Sequence, residues 1–125
     1  MVTVTVTEPD ATGTVAYRVN VGGPVVTSTD AGPDWSEDSS GSPSSYYVAN
    51  GTNFYSTAEG SSTGDVASGP AGVPLAVFNT ERWDGGAPTD PVADELQYSF
   101  PVAAGAEVEV RVYVAEIFSG ITAAG

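Results

Sequence analysis

Strict period-two alternation governs what this chain can fold into. Val2, Val4 and Val6 alternate with Thr3, Thr5 and Thr7, and Val15, Tyr17, Val19 and Val21 alternate with Ala16, Arg18 and Asn20. Leu96, Tyr98 and Phe100 alternate with Gln97 and Ser99; Val108, Val110, Val112 and Val114 alternate with Glu107, Glu109, Arg111 and Tyr113. Successive side chains of an extended chain project to opposite faces, so these stretches predict half-buried antiparallel strands. Fifteen glycines and nine prolines break up the rest, and no useful window carries a helical period. The expected fold is all-β: an antiparallel β-sandwich.

The residues that are missing exclude as much as the pattern predicts. With no histidine and no cysteine, a Ser-His-Asp triad, a Cys-His pair and a Cys/His zinc site cannot be built. Gly60-Ser61-Ser62-Thr63-Gly64 has the G-x-S-x-G spacing of a nucleophile elbow, but no base is there to activate Ser62, and the stretch reads as loop. The chain is expected not to be an enzyme and to need no cofactor. Sixteen acidic residues against three arginines (Arg18, Arg82, Arg111) and no lysine give a net charge of −13. That argues against nucleic acid and anionic membrane as partners. It suits concentrated salt, where the Debye length falls from about 10 Å to about 3 Å and self-repulsion is screened. The composition is therefore read as halophilic, with ordinary acidity for solubility as the alternative.

Residues 1–13 read as a strand and the polar linker Glu8-Pro9-Asp10-Ala11-Thr12-Gly13. The Val-Thr repeat resembles the last strand of a PKD-type immunoglobulin-like domain, and equally fits a first strand of the main domain, 14–125. Residues 30–72 are mostly Asp, Ser, Gly, Thr and Pro, interrupted by Tyr46, Tyr47, Phe54 and Tyr55. Aromatics spaced through a long polar loop favour a binding loop, with capping of the core as the alternative.

Four segments in order carry a family resemblance: Tyr17-Arg18-Val19-Asn20-Val21-Gly22-Gly23; Gly32-Pro33-Asp34-Trp35 with Asp38 following; Phe78-Asn79-Thr80-Glu81-Arg82-Trp83; and Tyr113-Val114-Ala115-Glu116-Ile117-Phe118. Together they resemble the malectin-like carbohydrate-binding domain from about Tyr17 to about Gly120. The resemblance implies a jelly-roll-like sandwich, incomplete at the C-terminus, whose end loops bind a glucose-containing oligosaccharide through aromatics. Carried over, those contacts fall at Tyr46 and Tyr47, at Trp83 with Glu81 beside it, and at Phe118; Ser119 stands where the family often has another ring. It further implies an extracellular or cell-surface location, as a module of a larger protein with neighbouring domains. Truncation is the first explanation for the absent strands, with a shortened natural form or a second chain that supplies them as the alternatives. Protein or peptide recognition and a structural spacer are the alternatives to sugar binding; a glycosidase would need two carboxylates about 5 to 10 Å apart.

The chemistry of a pyranose agrees, since its apolar C–H faces suit flat rings and its hydroxyl rim suits fixed polar groups. Trp83 could instead be core, and Arg82, with so few cations about, reads first as half of a structural ion pair. Asp30, Asp34 and Asp38 recur every four residues but lack EF-hand spacing, and no metal site is assigned. Asn50-Gly51-Thr52 matches a glycosylation sequon, a pattern short enough to arise by chance.

Overall fold

A computed structural model describes residues 13–48, 53–56, 66–83 and 96–117; of 53–56 only the backbone is described. Its elements are short strands: β1 (Val19–Val21), β2 (Ser36–Asp38), β3 (Tyr47–Val48), β4 (Asn53–Ser56), β5 (Thr80–Trp83) and β6 (Gln97–Tyr98). A 3-10 turn at Leu75–Phe78 is the one helical element among the described residues. The protein is mostly β, and the described residues form three two-stranded ladders, β1–β2, β3–β6 and β4–β5.

Two of the ladders are antiparallel as expected, with Tyr47 opposite Tyr98 and Phe54 opposite Arg82. The β1–β2 ladder is parallel, with Val19 opposite Ser36 and Val21 opposite Asp38. The chemistry of the intervening chain explains this departure. Gly22 adopts φ +77 and the Gly23 amide bonds the Asn20 carbonyl at 3.1 Å, turning the chain back. Val26 and Trp35 then exchange both backbone hydrogen bonds, at 3.1 and 2.9 Å. A second turn around Asp30 returns the chain beside β1 in the same direction. Asp34 Oδ1 accepts from the Ser28 amide at 2.8 Å and Asp30 Oδ1 from the Gly32 amide at 3.1 Å.

The expected strand boundaries shift in four places. Only Val19–Val21 of the 15–21 alternation pairs, and only Gln97–Tyr98 of 96–100. Residues 30–72, expected to lack regular structure, contain β2, β3 and β4. Residues 107–114 form no ladder with another described segment, and Val108, Val110, Val112 and Val114 are 60, 79, 77 and 83% exposed. Alternation fixes which face is apolar, but a ladder also needs a neighbouring backbone. The Val2–Val6 stretch and Gly60–Gly64 lie outside the described residues.

A small core of Trp35, Phe78 and Ile117 lies buried where these elements meet. The Tyr113 ring packs edge-on against Trp35 at 5.7 Å and against Phe78 at 6.3 Å, tying the 107–117 segment to the body. The Arg18 guanidinium lies over Trp35, 5.4 Å from its ring centroid.

Candidate functional site

The centre of the molecule is polar. Asp38, the last residue of β2, is wholly buried and accepts four hydrogen bonds. Arg82 Nη2 donates to Oδ1 at 2.5 Å and the Ser44 amide donates to the same oxygen at 2.8 Å. The Tyr98 hydroxyl donates to Oδ2, and the Gly22 amide approaches it at 3.4 Å. Both side chains of the ion pair have no exposed surface. A buried charge is tolerable only when paired and hydrogen-bonded, and this carboxylate is. β5 delivers Arg82 inward because its neighbours on the strand alternate outward.

The other face of the Arg82 guanidinium is covered by the Tyr47 ring, with Cζ 3.4 Å from the ring centroid. Arginine's planar group can accept in-plane hydrogen-bond partners and a facial ring at the same time. From Tyr47 a row of rings continues. Tyr98 lies at 6.0 Å, and Phe100 stacks on Tyr98 at 6.2 Å with 12° between planes. Tyr46 lies 4.9 Å from Phe100, and Tyr17 lies 4.9 Å from Tyr46. The β3–β6 ladder sets this spacing, with the Ser99 amide bonding the Tyr46 carbonyl at 2.8 Å one pair beyond Tyr47–Tyr98. The four tyrosines are half-buried and Phe100 is 40% exposed.

The polar ends of two rings are tied down. The Tyr17 hydroxyl donates to the Pro101 carbonyl at 2.6 Å. Tyr98 donates to Asp38, and burial, followed by that carboxylate, pushes its phenol above the ordinary tyrosine range. These two rings are therefore held in fixed orientations.

The sequence-derived candidates divide. Tyr46 and Tyr47 stand in the ring row. Trp83 is the last residue of β5 and is 47% exposed; alternation sends it to the face opposite Arg82 and so away from Tyr47. Glu81 is half-buried, and its carbonyl lies against Gly22. Phe118 and the Asn50-Gly51-Thr52 sequon lie outside the described residues. Arg82 is in an ion pair, but its partner is Asp38 and not the adjacent Glu81.

Asp30, Asp34 and Asp38 do not converge. Asp30 pairs with Arg18, which together with Ser28 and the Gly32 amide holds its carboxyl well below the usual range. Asp34 braces the turn and Asp38 the core. Among the described residues no group of three acidic side chains could hold a metal ion, and no helix is long and apolar enough to cross a membrane.

Tyr17, Tyr98 and Phe100 were not among the sequence candidates. The 96–100 alternation places Tyr98 and Phe100 on one face, but alternation does not tell a core face from a binding face.

The segments 17–23, 32–38, 78–83 and 113–117 are joined by direct contacts. Thr80 Oγ1 donates to Asn20 Oδ1 at 3.0 Å and is 3.0 Å from the Val21 carbonyl; Gly22 and Arg82 meet at Asp38; Tyr113 packs on Trp35 and Phe78. No protein-family model, no curated protein and no solved structure matches the chain.

Proposed function

We propose that this protein is a non-catalytic carbohydrate-binding module of malectin-like, jelly-roll β-sandwich type, displayed outside a salt-adapted cell and binding a glucose-containing oligosaccharide. The row Tyr47–Tyr98–Phe100–Tyr46–Tyr17 carries the reading. A pyranose lays its C–H faces on flat rings, and rings already packed against one another lose little freedom on binding. Phe100 and Tyr46 are the stacking faces, since Tyr47 and Tyr98 are engaged with the buried ion pair and Tyr17 is tied to the Pro101 carbonyl. Trp83, exposed on another face, is a second platform rather than a member of this one.

A binding role also fits the acids. Asp38 has both oxygens committed to internal donors and no exposed surface, which removes it from acid–base chemistry on a bound sugar. Asp30 is committed to Arg18.

Titration calorimetry with gluco-oligosaccharides in sodium chloride above about 1 M tests the proposal. Binding should be weak, because sugar hydroxyls exchange water hydrogen bonds for protein ones at little net gain. Phe100→Ala or Tyr46→Ala should each weaken it by roughly three- to tenfold, the worth of one ring contact. Trp83→Ala should leave the Phe100 site intact. Absence of heat from a protein that circular dichroism shows to be folded would overturn the proposal.

A further inference from the structure

Four valines in a row, Val108, Val110, Val112 and Val114, stand 60–83% exposed on a segment whose backbone meets no described neighbour. A long flat apolar edge is what natural β proteins otherwise shorten, charge or cover. The segment does not hang free. Tyr113, on its opposite face, is packed between Trp35 and Phe78, and Ile117 at its end is 2% exposed. The segment is thus anchored at its C-terminal end, while residues 107–112 are exposed on both faces and form no ladder with another described segment.

The charge order along this strand says what completes it. We infer that residues 107–114 are an association edge for a second copy of this chain, paired antiparallel about a two-fold axis through Val110. In that register Val110 faces Val110 and Val108 faces Val112 on each side. On the other face Glu109 lies opposite Arg111 twice, so the pairing supplies two cross-strand ion pairs. The competing registers are poorer. Centring on Arg111 sets the arginines against each other, a one-residue slip sets Val110 against Arg111 and mixes the faces, and in-register parallel pairing sets Glu against Glu. Within one copy Arg111 Nε already donates to Glu109 Oε1, and both side chains remain partly exposed, so the same charges can be shared across the axis. This inference does not depend on the sugar-binding reading, since no ring of the Tyr47–Tyr17 row lies in the segment.

Sedimentation equilibrium in sodium chloride above about 1 M, over micromolar to near-millimolar protein, reads the association directly. The mass should rise from 12.6 kDa to twice that and stop there. Arg111→Glu should raise the dimer dissociation constant by about tenfold or more, because two attractive pairs become repulsive. The double exchange Glu109→Arg with Arg111→Glu should restore it. Both positions are exposed, and circular dichroism reports whether each variant folds.

The chain has no cysteine, so Val110→Cys adds a single thiol. Opposed Cα atoms about 4.5–5.5 Å apart lie within disulfide reach. Val110→Cys should cross-link to a covalent dimer on oxidation much faster than Val102→Cys, an exposed control outside the strand. A monomer at every concentration, an open-ended series of masses, an Arg111→Glu association equal to wild type, or equal cross-linking at 102 and 110 would each overturn the inference.

Discussion

Asp38 and Arg82, 44 positions apart, meet as an ion pair at 2.5 Å with neither side chain exposed. The pair joins the ends of two different ladders, β1–β2 and β4–β5, and brings Tyr98 of the third to the same carboxylate. Removing one partner leaves the other buried without its counter-charge. Asp38→Ala is therefore expected to cost about 3–5 kcal/mol, comparable to the whole stability of a small domain. It also strands the Ser44 amide and the Tyr98 hydroxyl, so an apolar double replacement at 38 and 82 should recover little. Urea unfolding of the variants measures this. A loss below about 1 kcal/mol for Asp38→Ala would show that the pair does not hold the ladders together.

A second prediction concerns Gly22. Its φ of +77 suits glycine, and a Cβ at this position would collide with the backbone carbonyl of Glu81. The obstacle is backbone on β5, not a flexible side chain, so it cannot swing aside. Gly22→Ala should destabilise by more than about 1 kcal/mol and weaken the Gly22 amide contact with Asp38. A variant that melts within a degree of wild type would contradict the close approach of β1 and β5.

Which parts were legible in the sequence follows from the range of the physics. Alternation is a local property, and it located β1, β6 and the apolar face of 108–114. Partner choice is not local. Nothing in Val19–Val21 announces that it runs parallel to Ser36–Asp38; that follows from two turns closed by Gly22, Asp30 and Asp34. β2, β3 and β4 lie in a stretch whose Ser, Gly and Asp content reads as loop, because two to four residues are too few to show a period. At the site, the scarcity of cations singled out Arg82 as half of an ion pair, and adjacency suggested Glu81. The distant Asp38 won because β5 turns Arg82 inward and β2 ends facing it. Tyr46 and Tyr47 were recognisable as rings in a polar loop, but only the β3–β6 ladder shows that Tyr98 and Phe100 extend their row.

The third prediction is a pH response carried by Tyr98. Its phenol is raised above the ordinary tyrosine value, first by burial and then by the Asp38 carboxylate. A raised value means the folded state keeps its proton where the unfolded chain releases it. The stabilisation is thus complete below about pH 10, the unfolded value, and is lost as pH climbs above it. Alkaline titration should show a phenolate absorbance step that coincides with unfolding. Tyr98→Phe should be less stable at neutral pH, with the gap to wild type narrowing above about pH 10. A gap that stays constant through that range would remove Tyr98 as the titrating group.

The last prediction is that salt stabilises the fold, and the placement of the three arginines gives its sign. Arg18 pairs with Asp30, Arg82 with Asp38 and Arg111 with Glu109. Each cation is thus engaged with a carboxylate, and the net −13 resides in acids that repel one another. Raising sodium chloride from about 0.1 M to above about 1 M shortens the Debye length from about 10 Å to about 3 Å and screens that repulsion. The same salt weakens the partly exposed pairs Arg18–Asp30 and Arg111–Glu109, but pairs open to solvent contribute little to begin with. The one strong pair, Asp38–Arg82, is sealed from solvent and is hardly screened. Relief of repulsion should therefore win, moving the melting midpoint up by several degrees across that range, and Asp38→Asn should keep the upward slope while lying below wild type throughout. A flat or falling midpoint for the wild-type protein would mean that the exposed pairs, not the surplus of acid, dominate its electrostatics, and the salt-adapted reading would fall with it.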